Sequence, residues 1–448
     1  MDQRNSRARR GLAAGLLLLM AGSLGRADAG QRPGESGPLA IDLPTALRLA
    51  GAQNIDVQIA QAKVYEARGQ HLEAQLRFFP WVGASLGFHR HEGNIQRVDG
   101  NVFETNKNSY ATGGAVNLGL ELGDAIFSTL AAHRLAAAAD EDLEAERRDR
   151  VLEAAVGYFE LARARVAVGI GEETLRVARD YAGQVRNAAD AGIAFKGDAF
   201  RAEAQAERDA MTLRQARERQ RTAAARLSRV LRLDPAIEIT PGDADLIPLS
   251  LDESGAPEQA LIAEALEGRP ELRAADRRRD AAEKAKDGAV YGPIFPSIRG
   301  QAYYGGLGGG TGDPGPKEFE ENREYRVDLG WRVGPGGLFD AGRIGVARAR
   351  LDRGEFEMER TRDEIRRQVV EARERAASLR DQVDIARRAL DAARENYRLT
   401  DERREFGVGA VLEHVQSHQD LERARLDYAN TVAELNKAQY MLRWAAGK

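Results

Sequence analysis

In its final third the chain contains the run Tyr325-Arg326-Val327-Asp328-Leu329-Gly330-Trp331-Arg332-Val333. The odd-numbered side chains of this run are apolar or aromatic, and the even-numbered residues are charged or glycine. Because successive side chains of a strand point to opposite faces, the alternation predicts a β-strand with one apolar face. Three other runs alternate in the same way: residues 82–88 after Pro80, residues 116–122, and residues 297–304 after Pro296.

The number of strands bears on where such a sheet could lie. Alternation alone fits either a soluble sheet or the wall of a membrane barrel. Four strands of about ten residues can cross a bilayer when tilted, but a barrel needs at least about eight, and lipid does not tolerate unpaired edges. This favours three chains that share twelve strands. The lipid-facing residues are predicted to be Val82, Leu86, Leu118, Leu120, Val327, Leu329 and Trp331, with outer loops over His91–Ser109 and Leu307–Glu324.

Two very long helical segments accompany the strands. Helical sequence continues from about Gly123 to Asp190 and from about Asp340 to Glu405, and about 65 residues of α-helix extend roughly 100 Å. Apolar residues in the second segment keep a strict 4-3 spacing, which indicates a coiled-coil seam. They are Ile365, Val369, Ala372, Ala376, Leu379, Val383, Ala386, Leu390, Ala393 and Tyr397. The predicted fold class is therefore α+β, with barrel strands joined to the long coiled-coil helices of a helical barrel.

The same order of elements occurs twice. Ala46-Leu47 and Ala260-Leu261 each lie in a helix that leads to a strand pair, a very long helix, a turn and a final helix. The offset between the halves stays near 215 residues, which indicates an internal repeat. We predict a first repeat over residues 30–233, a linker rich in Pro, Asp and Gly over 234–255, and a second repeat over 256–448.

Residues 1–29 have the composition of a signal peptide. Four arginines between residues 4 and 10 precede the apolar run 11–21, and Ala27-Asp28-Ala29 fits a cleavage site. The chain has no cysteine, so an exported form is expected to lack disulfide bonds. The formal net charge is −4, and without a basic excess no nucleic-acid partner is expected.

Few residues suggest catalysis or metal binding. His414 and His418 are four residues apart, which suits one metal ion on a helix face, but no third ligand is evident and both also fit a polar seam. His89 and His91 likewise fit half of a metal site or a solvated strand end. Nucleophile, paired-carboxylate and phosphate-binding patterns do not stand out. The prediction is a protein that is not an enzyme and has no catalytic residues, metal or cofactor.

Taken as a set, these features resemble the outer-membrane efflux protein family, the TolC-like channels, along nearly the whole mature chain. The more specific matches are Ala46-Leu47 with Asn54, Pro80 and Pro296 at the entry to each hairpin, and the turn at residues 406–410. The resemblance implies a homotrimer with a twelve-stranded barrel in the outer-membrane lipid and a helical tunnel in the periplasm. It also implies two partners, a periplasmic adaptor (membrane fusion protein) and an inner-membrane pump.

The resemblance also assigns a docking surface. In this family a Val-Gly-small turn closes the inner end of the tunnel and receives the adaptor. In this chain that turn contains Val408, Gly409 and Ala410, and its counterpart in the first half contains Gly192 and Ile193. The first half departs from the pattern because alanine precedes its glycine.

Acidic residues flank both turns. Asp190 and Asp198 lie on either side of the first turn, and Glu405 and Glu413 on either side of the second. In a trimer each would form a ring of three like charges, which favours cations at a constriction, so these residues are candidates for a periplasmic gate. The alternative is that they are solvated or cap helices, with Asp198 as an N-cap.

The predicted function is the exit duct of a tripartite efflux or type I secretion system. A soluble periplasmic coiled-coil scaffold or adaptor is the alternative. The cargo stays open among drugs, metal ions, solvents and polypeptides.

Overall fold

The computed structural model describes residues 39–243, 245–251, 256–311, 319–405 and 411–448, all within the unit Leu39–Lys448. The predicted signal peptide lies outside the described residues. The first half contains β1 (Leu39–Ile41), α1 (Leu43–Gln53), α2 (Ile55–Leu76), β2 (Trp81–Gln96), β3 (Val102–Glu121), α3 (Leu122–Asp190) and α4 (Lys196–Leu231). After β4 (Ile239–Pro241), the second half contains α5 (Glu258–Gly268), α6 (Pro270–Tyr291), β5 (Ser297–Thr311), β6 (Phe319–Gly330), α7 (Ala341–Glu405) and α8 (Val411–Ala445). None of the helices in these ranges is long and apolar enough to be a membrane span.

The elements of the second half repeat those of the first. Each element from α5 to α8 begins 215 to 219 residues after its counterpart, with β1 and β4 outside the repeat. The break between α1 and α2 lies at Asn54, whose Oδ1 accepts from the backbone N–H of Asp56 at 2.8 Å and caps α2. The Asn54 side chain is buried, and its amide donates to the carbonyl of Val230 at 2.8 Å. This residue therefore both starts α2 and fixes it against the end of α4.

The four long strands form one antiparallel sheet in the order β2-β3-β5-β6. Pairing of β3 with β5 joins the two halves. The predicted loop His91–Ser109 is wrong, because β2 and β3 stay paired out to Gln96 and Val102. The predicted loop Leu307–Glu324 is also too long, because β5 and β6 pair as far as Gly308 and Phe319. The apolar alternation stops before the strands do, since ladder hydrogen bonds join backbones and need no apolar side chains.

The long helices form a layer that continues the sheet. α3 and α7 contain 69 and 65 residues, within one residue of the predicted bounds at each end. Near the sheet α3 packs between α2 and α6, and farther away it packs between α4 and α8; α7 packs against α6 and α8. The predicted seam of α7 is buried at Ile365, Val369, Ala372, Ala376, Leu379, Val383 and Leu390. Much of this core is alanine, which lets the helices approach closely.

The described part of the predicted linker is bound to the helices. β4 pairs in parallel with β1. Asn436 of α8 accepts from the N–H of Leu249 at 2.8 Å and donates to the carbonyl of Ile247 at 2.9 Å. Gln439 accepts from the N–H of Leu251 at 2.8 Å. Two amide side chains thus satisfy the backbone of a segment that has no ladder of its own beyond β4.

The sheet joins the two long helices in different ways. Glu121 ends β3 and Leu122 begins α3, with no residue between them. In contrast, ten residues separate the end of β6 from the start of α7. Within that segment Gly334, Gly336 and Phe339 have positive φ, of 97°, 76° and 66°.

Candidate functional site

The strand register places the apolar side chains on one face of the sheet. Residues directly opposite each other in an antiparallel pair point to the same side, and Leu120, Ile298 and Leu329 are aligned in this way across β3, β5 and β6. The same face carries Val82, Leu86, Phe88, Val116, Leu118, Ala302, Tyr304, Tyr325 and Val327. The strands of both halves thus contribute to a single apolar surface.

Most of the predicted lipid-facing side chains are exposed on this surface. The exposed ones are Val82 (78%), Leu86 (87%), Val327 (76%) and Leu329 (62%). Leu118 and Leu120 are half-buried, because β3 has a neighbouring strand on each side. An exposed apolar face of this extent needs a partner other than water.

Trp331 does not belong to a strand, which corrects the sequence prediction. β6 ends at Gly330, and the Trp331 indole N–H donates to the carbonyl of Ile294 at 3.1 Å. Its exposed side chain lies at the border between the sheet and the helices, as do exposed Phe79, Tyr291 and Phe295. At the far end of the apolar surface the rings of Phe88 and Tyr110 are 5.2 Å apart. Aromatic side chains at both borders of an apolar band are typical of membrane interfaces.

The opposite face of the sheet is polar. The Gln301 amide donates to Asn117 Oδ1 at 3.1 Å across β3 and β5, and Arg299 lies opposite Asp328 on β6. Gly113 permits the close approach of β3 and β5, since a Cβ added there would lie 2.5 Å from a backbone oxygen of β5. The sheet therefore has a mainly polar face opposite its apolar face, although the register also places Trp81 and Leu307 on the polar side.

The turn between α3 and α4 exposes apolar side chains. Gly192 has φ of +77°, and its N–H donates to the carbonyl of Ala189 at 3.0 Å, which ends α3 in a tight turn. Ile193 is 84% exposed, and Phe195 and Phe200 are also exposed. These two phenylalanines are not among the predicted docking residues; their signal in the sequence is a position beside a turn, where polar residues are usual.

The two acidic residues of the first turn, Asp190 and Asp198, lie on different helices. Asp190 is exposed at the end of α3. Asp198 forms an ion pair with Arg201 at 3.0 Å. The N-cap alternative for Asp198 is wrong, because Phe195 occupies the cap position and Asp198 lies in the first turn of α4. A carboxylate there still interacts favourably with the helix dipole.

The second turn is described only at its borders. The predicted docking residues Val408, Gly409 and Ala410 lie outside the described residues. Glu405 is the last residue of α7, and its side chain is likewise outside them. Glu413 lies in the first turn of α8 and pairs with Arg403 of α7 at 2.8 Å.

His414 and His418 are buried near the same end of the molecule. The ring of Tyr181 lies 4.3 Å from that of His414, and the ring of Tyr397 lies 5.7 Å from that of His418. Burial lowers the pKa of His418 to about 4, with a smaller contribution from neighbouring His414, so this imidazole is neutral at neutral pH. The described ranges hold no group of three or more side chains suited to a metal ion. The geometry is that of polar residues packed into a seam.

A two-faced sheet bordered by aromatic residues and continued by helices of roughly 100 Å is the architecture of an outer-membrane channel with a periplasmic helical part. The chain belongs to the outer membrane efflux protein family, whose model matches residues 46–231 and again residues 261–448. It is therefore an outer-membrane efflux channel, and the family consists of channels rather than enzymes.

Solved structures share the fold. The CmeC outer membrane channel of Campylobacter jejuni is 16% identical, with a TM-score of 0.77 over 90% of this chain and 85% of that chain. A membrane protein from Pseudomonas aeruginosa is 21% identical, with a TM-score of 0.76 over 96% of this chain and 100% of that chain. The outer membrane protein VceC from Vibrio cholerae is 17% identical, with a TM-score of 0.74 over 90% and 96%. No curated protein sequence matches the chain.

Proposed function

We propose that the protein is the exit duct of a tripartite efflux or type I secretion system and that it works as a homotrimer. The observation that carries the trimer is the pair of open sheet edges. Within the part of the chain that the structure describes, the order β2-β3-β5-β6 leaves one side of β2 and one side of β6 unpaired, and unpaired backbone groups are not tolerated in lipid. Three copies that pair β2 with a neighbour's β6 give a closed barrel of twelve strands.

The helical layer also has two edges, formed by α2 and α7. Among the described elements α2 packs mainly against α3, and at the other end of the row α7 packs against α5, α6 and α8. Both edge helices expose large apolar side chains, which on α2 are Ile55, Ile59, Tyr65, Leu72 and Leu76, and on α7 are Val346, Phe356, Ile385 and Leu399. Contact between α2 of one copy and α7 of the next would bury these side chains and extend the ring from the sheet into the helices.

The apolar face of the sheet is the proposed lipid-facing surface. From Tyr110 to Leu120 it extends roughly 34 Å along β3 at about 3.4 Å per residue. With a strand tilt of about 40°, this corresponds to an apolar band about 26 Å tall, close to the 25 Å usual for such barrels. The proposed lipid contacts are Val82, Leu86, Leu118, Leu120, Val327 and Leu329, with Trp331 at the periplasmic interface. The polar face would line a wet lumen.

The helical end far from the sheet is the proposed adaptor site. Ile193, Phe195 and Phe200 are exposed apolar side chains at or near the turn that contains Gly192, and such side chains suit contact with an approaching amphipathic hairpin. The second turn, with Val408–Ala410, would complete the site. We also propose that Asp190, Asp198, Glu405 and Glu413 form acidic rings at the inner opening of the trimer.

The proposal also includes removal of the signal peptide and the bounds of the two repeats. Residues 1–29 would be removed on export, with repeats over 30–233 and 256–448 joined by residues 234–255. N-terminal sequencing of protein from the outer membrane should begin at Gly30.

The decisive experiment is the mass of the detergent-solubilised protein. Light scattering after size exclusion should give three chains per particle, and pull-down of the tagged protein from its own cells should recover a periplasmic adaptor with it. A stable monomer with a full β signature would contradict the trimer. A trimer that fails to bind any adaptor would leave the channel but contradict its place in a tripartite system.

A further inference from the structure

A polar cluster lies where α4 and α8, both packed against α3, also touch each other. Gln205 and Asp209 of α4 are only 5% and 3% exposed. Gln205 Oε1 accepts a hydrogen bond from Gln419 Nε2 of α8 at 2.6 Å, and Gln205 Nε2 donates to Asp209 Oδ1 at 2.7 Å. These bonds connect the two helices and place a carboxyl group directly beside their contact.

The Asp209 carboxyl group is incompletely satisfied. Its Oδ2 atom is buried without a hydrogen-bond partner. A buried, unpartnered carboxylate oxygen is costly, whereas a protonated carboxyl group has its charge removed. Burial raises the pKa of Asp209, although the hydrogen bond from Gln205 and the charge of Arg208 oppose the change.

Glu422 of α8 is the second acidic group of the cluster. It lies three residues after Gln419 and is half-buried. Burial raises the pKa of Glu422, and the nearby charge of Asp209 raises it further. A buried carboxyl group of α4 and a half-buried carboxyl group of α8 therefore lie close enough to influence each other, and burial raises the pKa of both.

The surrounding charges compensate these acids only in part. On α4, Arg208 directs its guanidinium to Gln205 Oε1, at 2.9 Å from Nε and 2.6 Å from Nη2. Toward the same end of α8, Arg425 and Glu173 of α3 lie near His418, which is neutral, and Glu173 is hydrogen-bonded to Arg176.

We infer that Asp209 and Glu422 form a proton-dependent joint between α4 and α8. The helices pack as described while the two carboxyl groups hold at least one proton, and they separate more readily when both groups are ionised. The joint lies in the parts of α4 and α8 that are nearer the two turns. Separation of the two helices there would alter the inner opening of the duct. That consequence depends on the proposed function, whereas the joint itself does not.

The direction of the pH effect follows from linkage. Since the carboxyl pKa values are raised in the packed state, packing takes up protons and is weakened as the pH rises through those values. His418 acts in the opposite direction, because its pKa is lowered to about 4 in the packed state and protonation at lower pH favours separation. Each proton exchanged changes the equilibrium about tenfold per pH unit.

The test measures the distance between the two helices in the full-length protein. The chain has no cysteine, so spin labels can be attached at Ala204→Cys of α4 and Gln416→Cys of α8, which are both exposed positions. Labelled chains are mixed with excess unlabelled chains in detergent, and pulsed EPR distances are recorded from about pH 5 to about pH 8. The population with separated helices should grow as the pH rises. Asp209→Asn or Glu422→Gln should make this pH dependence less steep, by up to about tenfold per pH unit.

The control is Asp420→Asn, which removes an exposed carboxyl group from the same helix and should follow the wild-type profile. Because His418 is present in all variants, differences between profiles report the two acids alone. If the wild type and both acid variants show the same dependence of helix separation on pH, the proposed joint between Asp209 and Glu422 is wrong. If Asp209→Asn fails to fold, Glu422→Gln decides the question. A monomeric preparation would contradict the proposed trimer while leaving the distance within each chain readable.

Discussion

Replacing Val116 by arginine tests which face of the sheet contacts lipid. Val116 lies on the apolar face, six residues after Tyr110 and four before Leu120, so it is near the middle of the band. A cationic side chain on the lipid face costs about 2–4 kcal/mol near the bilayer centre, which corresponds to a loss of roughly 30- to 1000-fold in the folding equilibrium. A trimer would carry this cost three times.

Asn117→Arg is the matched control, because it introduces the same side chain one residue later on the polar face. It removes the hydrogen bond with Gln301, a loss of about 0.5–1.5 kcal/mol, and the new guanidinium remains in water. The trimer fraction in the outer membrane, read from heat-modifiable gel mobility, should fall sharply for Val116→Arg and little for Asn117→Arg. Equal losses, or a larger loss for Asn117→Arg, would refute the assignment of the two faces.

Three further substitutions test other parts of the molecule. Gly409→Trp should abolish co-purification with the adaptor while the trimer yield stays normal; loss of the trimer would mean instead that this glycine is needed for the turn. Asn436→Ala leaves backbone groups of the 247–249 segment without partners, and should lower the free energy of unfolding by about 1–3 kcal/mol, whereas Asn430→Ala at an exposed position of α8 should change the thermal midpoint little. Gly113→Ala should impair pairing of β3 with β5 and lower barrel yield, and Gly119→Ala, where an added Cβ meets no atom within 4 Å, is its control.

Local periodicity made much of the fold predictable from the sequence. The seam from Ile365 to Leu390 follows from apolar spacing alone, and so do the strands around Val116 and Val327. The sequence does not predict the outer parts of β2 and β3, because polar side chains predominate on both faces there and the few apolar ones, such as Ile95 and Phe103, do not alternate. Trp331 was misassigned because its alternation continues past the last ladder pair.

The sequence predicts only those parts of the candidate site that follow from the periodicity of apolar residues. Alternation identified the residues of the apolar face, and their common surface then follows from the strand register. The exposed Phe195 and Phe200 and the contact of Gln205 with Gln419 could not be found in this way. They depend on which helices meet in space, and residues about 214 positions apart carry no mutual signal in a single sequence.

The unequal junctions between the sheet and its two long helices have a mechanical consequence. α3 follows β3 without an intervening residue, so a rotation of this helix acts directly on the barrel wall. α7 is attached through ten residues that include Gly334 and Gly336 in left-handed conformations and that fold back on themselves through backbone hydrogen bonds, such as the one from the Leu338 N–H to the carbonyl of Arg332. We expect a rotation of α3 to distort the barrel wall directly, whereas a rotation of α7 must first distort this hydrogen-bonded segment.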